Sequence, residues 1–335
     1  MCDPIVHFMT QIIQEMESIM SLLLFSALLL GFAAVNQCAP TKRNMPVIGI
    51  LLQESYPEVL KHGDTYFQDS YVKWLQTGGA KVVPIRTNET VGYYTDLMGK
   101  INGVLLPGGD VDTMTSAYAK AAQIIYKLVI EFNNAGSYFP LWGTCLGFEE
   151  LMYLQTGKNL LTKCDAFDLM LPLEFTQSWL GTKLFIKAEN SIPTDLTRLN
   201  ITANYHENCT TLDSFKASPE LSGFFRLVST NKDRNGLDFV SMMEAYKYPI
   251  YGNQWHPEMN PFDMSYKEHV PHTLQSVQAS QYLATFFVDE ARKSDHQFLT
   301  MEEESKAVIE NYKPVFLGPP GFYNFYFFNI TKMAT

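Results

Sequence analysis

Cys145, His256 and Glu258 are the three side chains of this 335-residue chain whose types and spacing could do chemistry together. Cys145 lies in "FPLWGTCLGFEELMYL" (139–154), where an apolar run meets a thiol flanked by Gly143 and Gly147. The pattern predicts a tight strand-to-helix corner, with residues lacking a Cβ on both sides of the turn. The thiol would then sit at the strand end, over the amino end of the next helix. A free thiol has a pKa of about 8.5, so it needs a base or an adjacent positive charge to act as thiolate near neutrality. An imidazole can accept that proton and later return it to a leaving amine. His256, in "YPIYGNQWHPE" (248–258), is the candidate. Glu258 stands two residues on and, in an extended chain, points to the same face. From there it can fix the tautomer of the ring and stabilise the imidazolium. An acyl carbonyl under attack also needs preorganised donors. The backbone N–H groups of Leu146, at the helix start, and Gly109, in "LLPGGD", are the candidates.

These residues need a scaffold that brings distant segments to one edge, and the hydrophobic pattern predicts one. "PVIGILLQ" (46–53) is a buried-strand run, and "DTYFQDSYVKWLQTGG" after it is an amphipathic helix closed by Gly78 and Gly79. "AKVVPI" (80–85) is a second strand, 91–100 a short helix, and "INGVLLPGG" (101–109) a third strand ending in a glycine turn. Residues 115–133 have helical spacing, and "YFPLWG" returns as a strand into Cys145. "FFRLVSTN" (224–231), "LDFVSMMEAY" (237–246) and "YPIYGNQWHPE" add strands, and 273–293 forms a final helix. Short apolar strands alternating with helices indicate an α/β fold, an open and mostly parallel sheet with helices on both faces. In such sheets ligands bind outside the carboxyl ends of the strands. Gly108-Gly109, Cys145 and His256 all fall at such ends. A single catalytic domain is expected over 44–293, with a polar and aromatic tail over 294–335. Its segment "GFYNFYFFN" (321–329) has no role that the sequence reveals.

Composition narrows the partners. The formal net charge is −10 with no basic run, which argues against nucleic acid or an anionic membrane surface. There is no HExxH and no CxxC, so neither a metal nor another cofactor is expected, and His269 and His272 read as solvated loop residues. "SLLLFSALLLGFAA" (21–34) reads as the core of a signal peptide cleaved after Ala33. A single membrane anchor is the alternative, and no stable membrane association is expected. Met20 is a more ordinary start than Met1, because residues 1–20 carry Asp3, Glu15 and Glu17 but no lysine or arginine. Residues 1–19 are then an upstream extension. Four sequons, at Asn88, Asn200, Asn208 and Asn329, agree with a secretory route. Cys145, Cys164 and Cys209 are the core cysteines, an odd number that suggests a free thiol.

"LLPGGD", "GTCLGFE" and "QWHPE" resemble the three signatures of the class I glutamine amidotransferase superfamily. The longer strings "YFPLWGTCLGFEEL", "ANYHEN", "SMMEAYKYPIYGNQWHPE" and "LATFFVDEARK" resemble the gamma-glutamyl hydrolase family, over roughly 45–293. The resemblance implies a flavodoxin-like sheet and cleavage of γ-linked glutamates from folylpoly-γ-glutamates and antifolate analogues. It also implies a secreted and lysosomal glycoprotein that forms a homodimer. Carried over, the nucleophile is Cys145, the acid and base His256, and the orienting carboxylate Glu258. His206, in "ANYHEN", matches a pocket histidine that contacts substrate. Tyr71 matches a pocket tyrosine, although a helix-face aromatic is the simpler reading, and Gly108 lies on the substrate side of its turn. No ammonia-accepting partner domain is evident, so hydrolysis is favoured over amide transfer. A stand-alone amidase for small γ-glutamyl amines and a non-catalytic binding protein of the same fold are the alternatives.

Overall fold

The computed structural model describes Met16, Met20 and residues 45–266, 268–319 and 323–329. The expected signal segment therefore lies outside the described residues, apart from Met16 and Met20, both helical and exposed. Among the described residues no helix is long and apolar enough to cross a membrane. One compact unit runs from Asn44 to Thr335, and everything below concerns it.

Its first half alternates strand and helix. β1 (Val47–Leu51), β2 (Gln53–Glu54) and β3 (Thr65–Gln68) precede α1 (Asp69–Thr77) and β4 (Lys81–Ile85). Then come α2 (Val91–Met98), β5 (Gly103–Leu106), α3 (Ala117–Asn134), β6 (Leu141–Thr144) and α4 (Leu146–Thr156). The second half is richer in strand, with β7 (Leu161–Leu171), β8 (Glu174–Phe175), α5 (Ser191–Arg198) and β9 (Thr202–Thr210). β10 (Phe225–Lys232), β11 (Asp238–Ala245), β12 (Ile250–Asn253) and α6 (Leu274–Ala291) follow. The chain closes with α7 (Met301–Ala307), β13 (Val315–Phe316) and β14 (Asn324–Phe328).

The main sheet has the order β4-β1-β5-β6-β12-β11-β10-β8. Its first five strands are mutually parallel. In chain order they run second, first, third, fourth, fifth, which is the flavodoxin-like order. β11, β10 and β8 extend the sheet antiparallel. Alternate residues of β1 divide between two cores. Ile48 and Ile50 pack with Trp74, Trp142 and Phe287, while Val47 and Leu51 pack with Ile125, Phe148 and Leu151. A sheet covered by helices on both faces requires this two-sided burial. The α/β expectation holds.

Two expectations change. Thr65–Gln68, read as the first turn of a helix, is a strand, and α1 begins only at Asp69. Thr-Tyr-Phe favours extended chain, and β14 supplies an antiparallel partner, Tyr66 facing Phe327 and Gln68 facing Phe325. For the same reason the described residues of the expected 294–335 tail are no separate tail. β14 completes a small sheet, β13-β14-β3-β2, and buries Phe325, Tyr326 and Phe328. Asn102 Nδ2 also donates to the carbonyls of Ser294 and His296, at 3.2 and 2.8 Å. The third sheet is the antiparallel pair β7 and β9, joined by a Cys164–Cys209 disulfide that leaves Cys145 as the free thiol among the described residues.

α4 lies hard against the sheet. A Cβ on Gly147 would sit 2.1 Å from the carbonyl oxygen of Leu106, and one on Gly143 would sit 2.5 Å from that of Gly147. Backbone cannot move aside as a flexible side chain can. Gly147→Ala is therefore expected to lose about 2 kcal/mol or more of stability in urea unfolding. Gly92→Ala, on an exposed face of α2 with its nearest neighbour 3.6 Å away, should be neutral or stabilise by about 0.5 kcal/mol. Equal midpoints for the two variants would refute this account of the packing.

Candidate active site

The corner between β6 and α4 is made by Cys145 itself. Its backbone has φ 51° and ψ −109°, whereas neither flanking glycine has a positive φ. The expectation that Gly143 and Gly147 take the turn is thus corrected. They permit the close approach of α4, and the strained torsion, which costs about 1–3 kcal/mol, falls on the cysteine. Backbone bonds on both sides hold it there. Cys145 N–H donates to the Asn253 carbonyl of β12, and Glu149 N–H donates to the Cys145 carbonyl, each at 2.9 Å. The thiol is buried at the amino end of α4. As the first residue of that helix, Leu146 has an N–H with no acceptor inside it.

His256 follows β12, and its N–H donates to the Ala203 carbonyl of β9 at 2.8 Å. Its Nδ1 donates to Glu258 Oε1 at 2.7 Å, as the sequence spacing suggested. The route differs, however. Glu258 has helical torsions just after Pro257, so a turn and not an extended chain brings the carboxylate round. The ring is also close enough to Cys145 to feel its sulfur. Burial works against a charged ring here. The Glu258 carboxylate and the Cys145 sulfur nonetheless hold the imidazole well above its ordinary pKa.

Tyr71 belongs to this group and is more than a helix-face aromatic. Its hydroxyl accepts from Gly108 N–H at 2.8 Å and lies 3.3 Å from His256 Nδ1, beside the Glu258 carboxylate. Burial, then the charges of Glu258 and Cys145, push its pKa far up, so the phenol stays protonated. Gly108 is glycine because a Cβ there would lie 2.6 Å from that hydroxyl and 2.7 Å from His256 Cε1. The Gly108 amide is spent on Tyr71, which leaves Gly109 and Leu146 as the donors available to an oxyanion. Gln53, at the carboxyl end of β1, fastens the turn by donating to the Gly108 carbonyl at 2.8 Å. Its side chain fills the space beside Gly109, where a Cβ would lie 1.8 Å from Oε1.

Two cavities meet at Cys145. One, of about 230 Å³, is walled by Tyr66, Tyr71, Phe167, Tyr205, Tyr323 and Phe325 and holds His256 and Glu268. The other, of about 610 Å³, is polar, and includes Asp110, Asp112, Glu149, Lys163, His206 and Asn208. Phe167 and Tyr205, on the β7–β9 pair, line both. His206 reaches the polar cavity as a neutral ring. Burial drives its pKa down to about 3, and its Nδ1 is committed to the Asn208 carbonyl at 2.9 Å. Sequence reading missed Gln53, Tyr205, Tyr323 and Phe325. The strand-end rule points to Gln53, and Tyr205 adjoins His206, but nothing local marks Tyr323 or Phe325.

The remaining expected positions are peripheral. Asn88 and Asn200 are exposed, whereas Asn208 and Asn329 are half-buried, so the expectation of four surface sequons holds for two. His269 and His272 are exposed, as expected, though His269 pairs with Asp168 at 2.7 Å and His272 with the Asn260 carbonyl at 2.6 Å.

The model of the Peptidase C26 family matches residues 46–258, a span that contains Cys145, His256 and Glu258. The chain belongs to that family. It is 42% identical to gamma-glutamyl hydrolase of Bos taurus, over 90% of this chain and 94% of that one. It is also 42% identical to gamma-glutamyl hydrolase of Homo sapiens, over 87% and 92%. Gamma-glutamyl hydrolase B of Dictyostelium discoideum is 38% identical over 90% and 86%. Among solved structures, the glutaminase domain of Trypanosoma brucei CTPS aligns with 75% of this chain and 95% of its own, at 13% identity and TM-score 0.48.

Two buried carboxyls on α4 couple the site to pH. Burial raises Glu149 to about 7, against the opposing effects of Gln254 and His256. Burial, with Asp112 and Glu149 adding to it, raises Glu150 to about 8, and neither of its oxygens has a hydrogen-bond partner. In an unfolded chain both titrate at about 4.3. Between these values the folded protein holds protons that the unfolded chain has released, so stability is full in acid and falls as pH rises through 7 to 8. The urea midpoint should therefore be lower at pH 8 than at pH 5. Glu150→Gln should flatten that slope and raise the midpoint at pH 8, and an unchanged slope would exclude Glu150 as its source.

Proposed function

We propose that this protein hydrolyses the γ-glutamyl amide bonds of folylpoly-γ-glutamates, with Cys145 as nucleophile. The observation that carries the reading is the pairing of the free Cys145 thiol, at a helix amino end, with an imidazole held by a buried carboxylate. The gamma-glutamyl hydrolases among its relatives support the bond type, and the family resemblance of its motifs supports the folate substrate. His256 already carries the proton given up by the thiol as sulfur attacks the γ-carbonyl, and the N–H groups of Leu146 and Gly109 receive the developing oxyanion. The ring then gives that proton to the departing α-amine, leaving a γ-glutamyl thioester on Cys145. Water, deprotonated by the same ring, attacks the thioester and releases the shortened acid and the thiol. Glu258 keeps the ring oriented and stabilises its charge in both halves, while Tyr71 buttresses Glu258.

The reading extends to compartment and assembly as proposals: entry to the secretory route through residues 1–33, a lysosomal and extracellular destination, and a homodimer. Exposed Asn88 and Asn200 support glycans at those two sequons. Expression in a secretory host followed by N-glycosidase should shift the gel mobility, and the double variant Asn88→Gln, Asn200→Gln should remove most of that shift. A wild-type band that glycosidase leaves unmoved would refute it.

Release of glutamate from a γ-linked folate diglutamate tests the chemistry. Cys145→Ala should lower kcat by about four orders of magnitude or more, with the fold and substrate binding retained. His256→Ala should be nearly as severe, because both proton transfers are lost. Glu258→Gln should be milder, since an amide can hold the ring without stabilising its charge. The raised imidazole pKa should keep activity substantial near pH 5. A well-folded Cys145→Ala protein cleaving at the wild-type rate would end the scheme.

A further inference from the structure

Outside the triad, one strained residue ties β7 to β9 and to the segment ahead of α6. Asp168 lies on β7, where Phe167 faces Tyr205 of β9 and Leu169 faces Asn204. It is the extra residue between those pairs, a β-bulge, and its φ of 52° falls in the left-handed region. Bulges re-aim a side chain. A positive φ costs free energy in a residue other than glycine, so the surroundings must hold it. Arg234 does so from Nη2, which donates to the Asp168 carbonyl at 2.8 Å, while its Nη1 bonds Asp165 Oδ1 at 2.7 Å.

The carboxylate gathers the other two segments. Its Oδ1 accepts from the Tyr205 hydroxyl at 2.9 Å and from His269 N–H at 3.0 Å. Its Oδ2 meets His269 Nδ1 at 2.7 Å. Burial works against its charge, yet the bonds from His269 and Tyr205 hold the carboxyl below its ordinary pKa. Burial and the bond to Asp168 push the Tyr205 phenol far up, so it stays a donor. Tyr205 and Phe167 meet edge to face at 5.4 Å and line both cavities at Cys145. The Tyr205 ring also meets the His256 ring edge to face, with centres 6.3 Å apart. β7 and β9 form a sheet of only two strands, and such a pair has little stability of its own. The orientation of Tyr205 thus depends on what its hydroxyl is tied to.

We propose that Asp168 is a positioning residue, whose carboxylate fixes the Tyr205 ring as the shared wall of the two cavities that meet at Cys145. This rests on the hydrolase reading above. A substrate at Cys145 packs against that wall. A ring already fixed adds no ordering cost to binding, whereas a ring free to turn must be ordered each time, and the cost appears in KM. Substitution separates the backbone of Asp168 from its carboxylate. Glycine adopts a positive φ freely and removes the carboxylate. Asparagine tolerates that φ and keeps an acceptor for Tyr205.

Initial rates of glutamate release by the full chain from a γ-linked folate diglutamate test this. Tyr205→Phe and Asp168→Gly should each raise KM by about two- to tenfold, with kcat within about threefold of the wild type. Asp168→Asn should keep KM within about twofold of the wild type. In the double variant Asp168→Gly, Tyr205→Phe the two effects on KM should not multiply, because each substitution removes the same bond. A wild-type KM in Tyr205→Phe would overturn the proposal. That variant loses one half-buried hydroxyl, so it decides the matter even where Asp168→Gly fails to fold. Effects that multiply, or an Asp168→Asn protein as impaired as Asp168→Gly, would overturn the proposal as well. Wild-type protein that releases no glutamate would instead overturn the hydrolase reading, and this inference with it.

Discussion

The site depends on how closely α4 approaches the sheet. Only glycine at position 147 lets the helix backbone reach the Leu106 carbonyl of β5, where a Cβ would sit 2.1 Å from oxygen. With α4 so close, the chain has one residue in which to turn from β6 into the helix. That residue takes the positive φ, and it carries the thiol. Packing thus determines how the Cys145 side chain is presented. The strain is balanced by backbone hydrogen bonds to β12 on one side and within α4 on the other.

Around that fixed point the groups are held by one another. Tyr71, Gly108, His256 and Glu258 form a connected set, although Glu258 Oε2 is buried without a hydrogen-bond partner among the described residues. The Gly108 amide donates to the phenol, the phenol lies against the imidazole, and the imidazole donates to the carboxylate. In a buried setting such bonds are strong and their loss is costly. The imidazole keeps its proton because the two groups beside it are a carboxylate and a sulfur, and their effect outweighs burial. Glu149 and Glu150 lie on α4 with less compensation, since Gln254 and His256 only partly offset burial at Glu149 and neither oxygen of Glu150 has a partner among the described residues. Burial therefore leaves them neutral over much of the range in which His256 is charged.

The β7–β9 pair and the C-terminal strand complete the surroundings. The first, closed by the Cys164–Cys209 disulfide, presents Phe167 and Tyr205 between the two cavities. The second closes the opposite part of the aromatic lining through its pairing with β3. Neither element comes from the five-stranded parallel core. The core places the reactive groups, and added antiparallel strands shape the space around them.

What the sequence determined by itself was local in origin. Runs such as Val47–Leu51 and Leu141–Thr144 are apolar on both faces, and this marks buried parallel strands wherever they occur. Their ends, at Gly108-Gly109, Cys145 and His256, follow from the same pattern, so the meeting of these segments at one sheet edge was legible in the chain itself. Other features required partners distant in the chain. Thr65–Gln68 carries no signal stronger than the helix beside it, and becomes a strand because Phe325–Phe328 lies across from it. The tail's aromatic residues join the site for that reason alone. Cys164 and Cys209 pair because β7 and β9 run antiparallel in the right register. Glu258 meets its histidine through a turn that the i, i+2 rule for extended chain could not describe. Hydrophobic period reports which face of a segment is buried. Only the tertiary structure decides what that face is buried against.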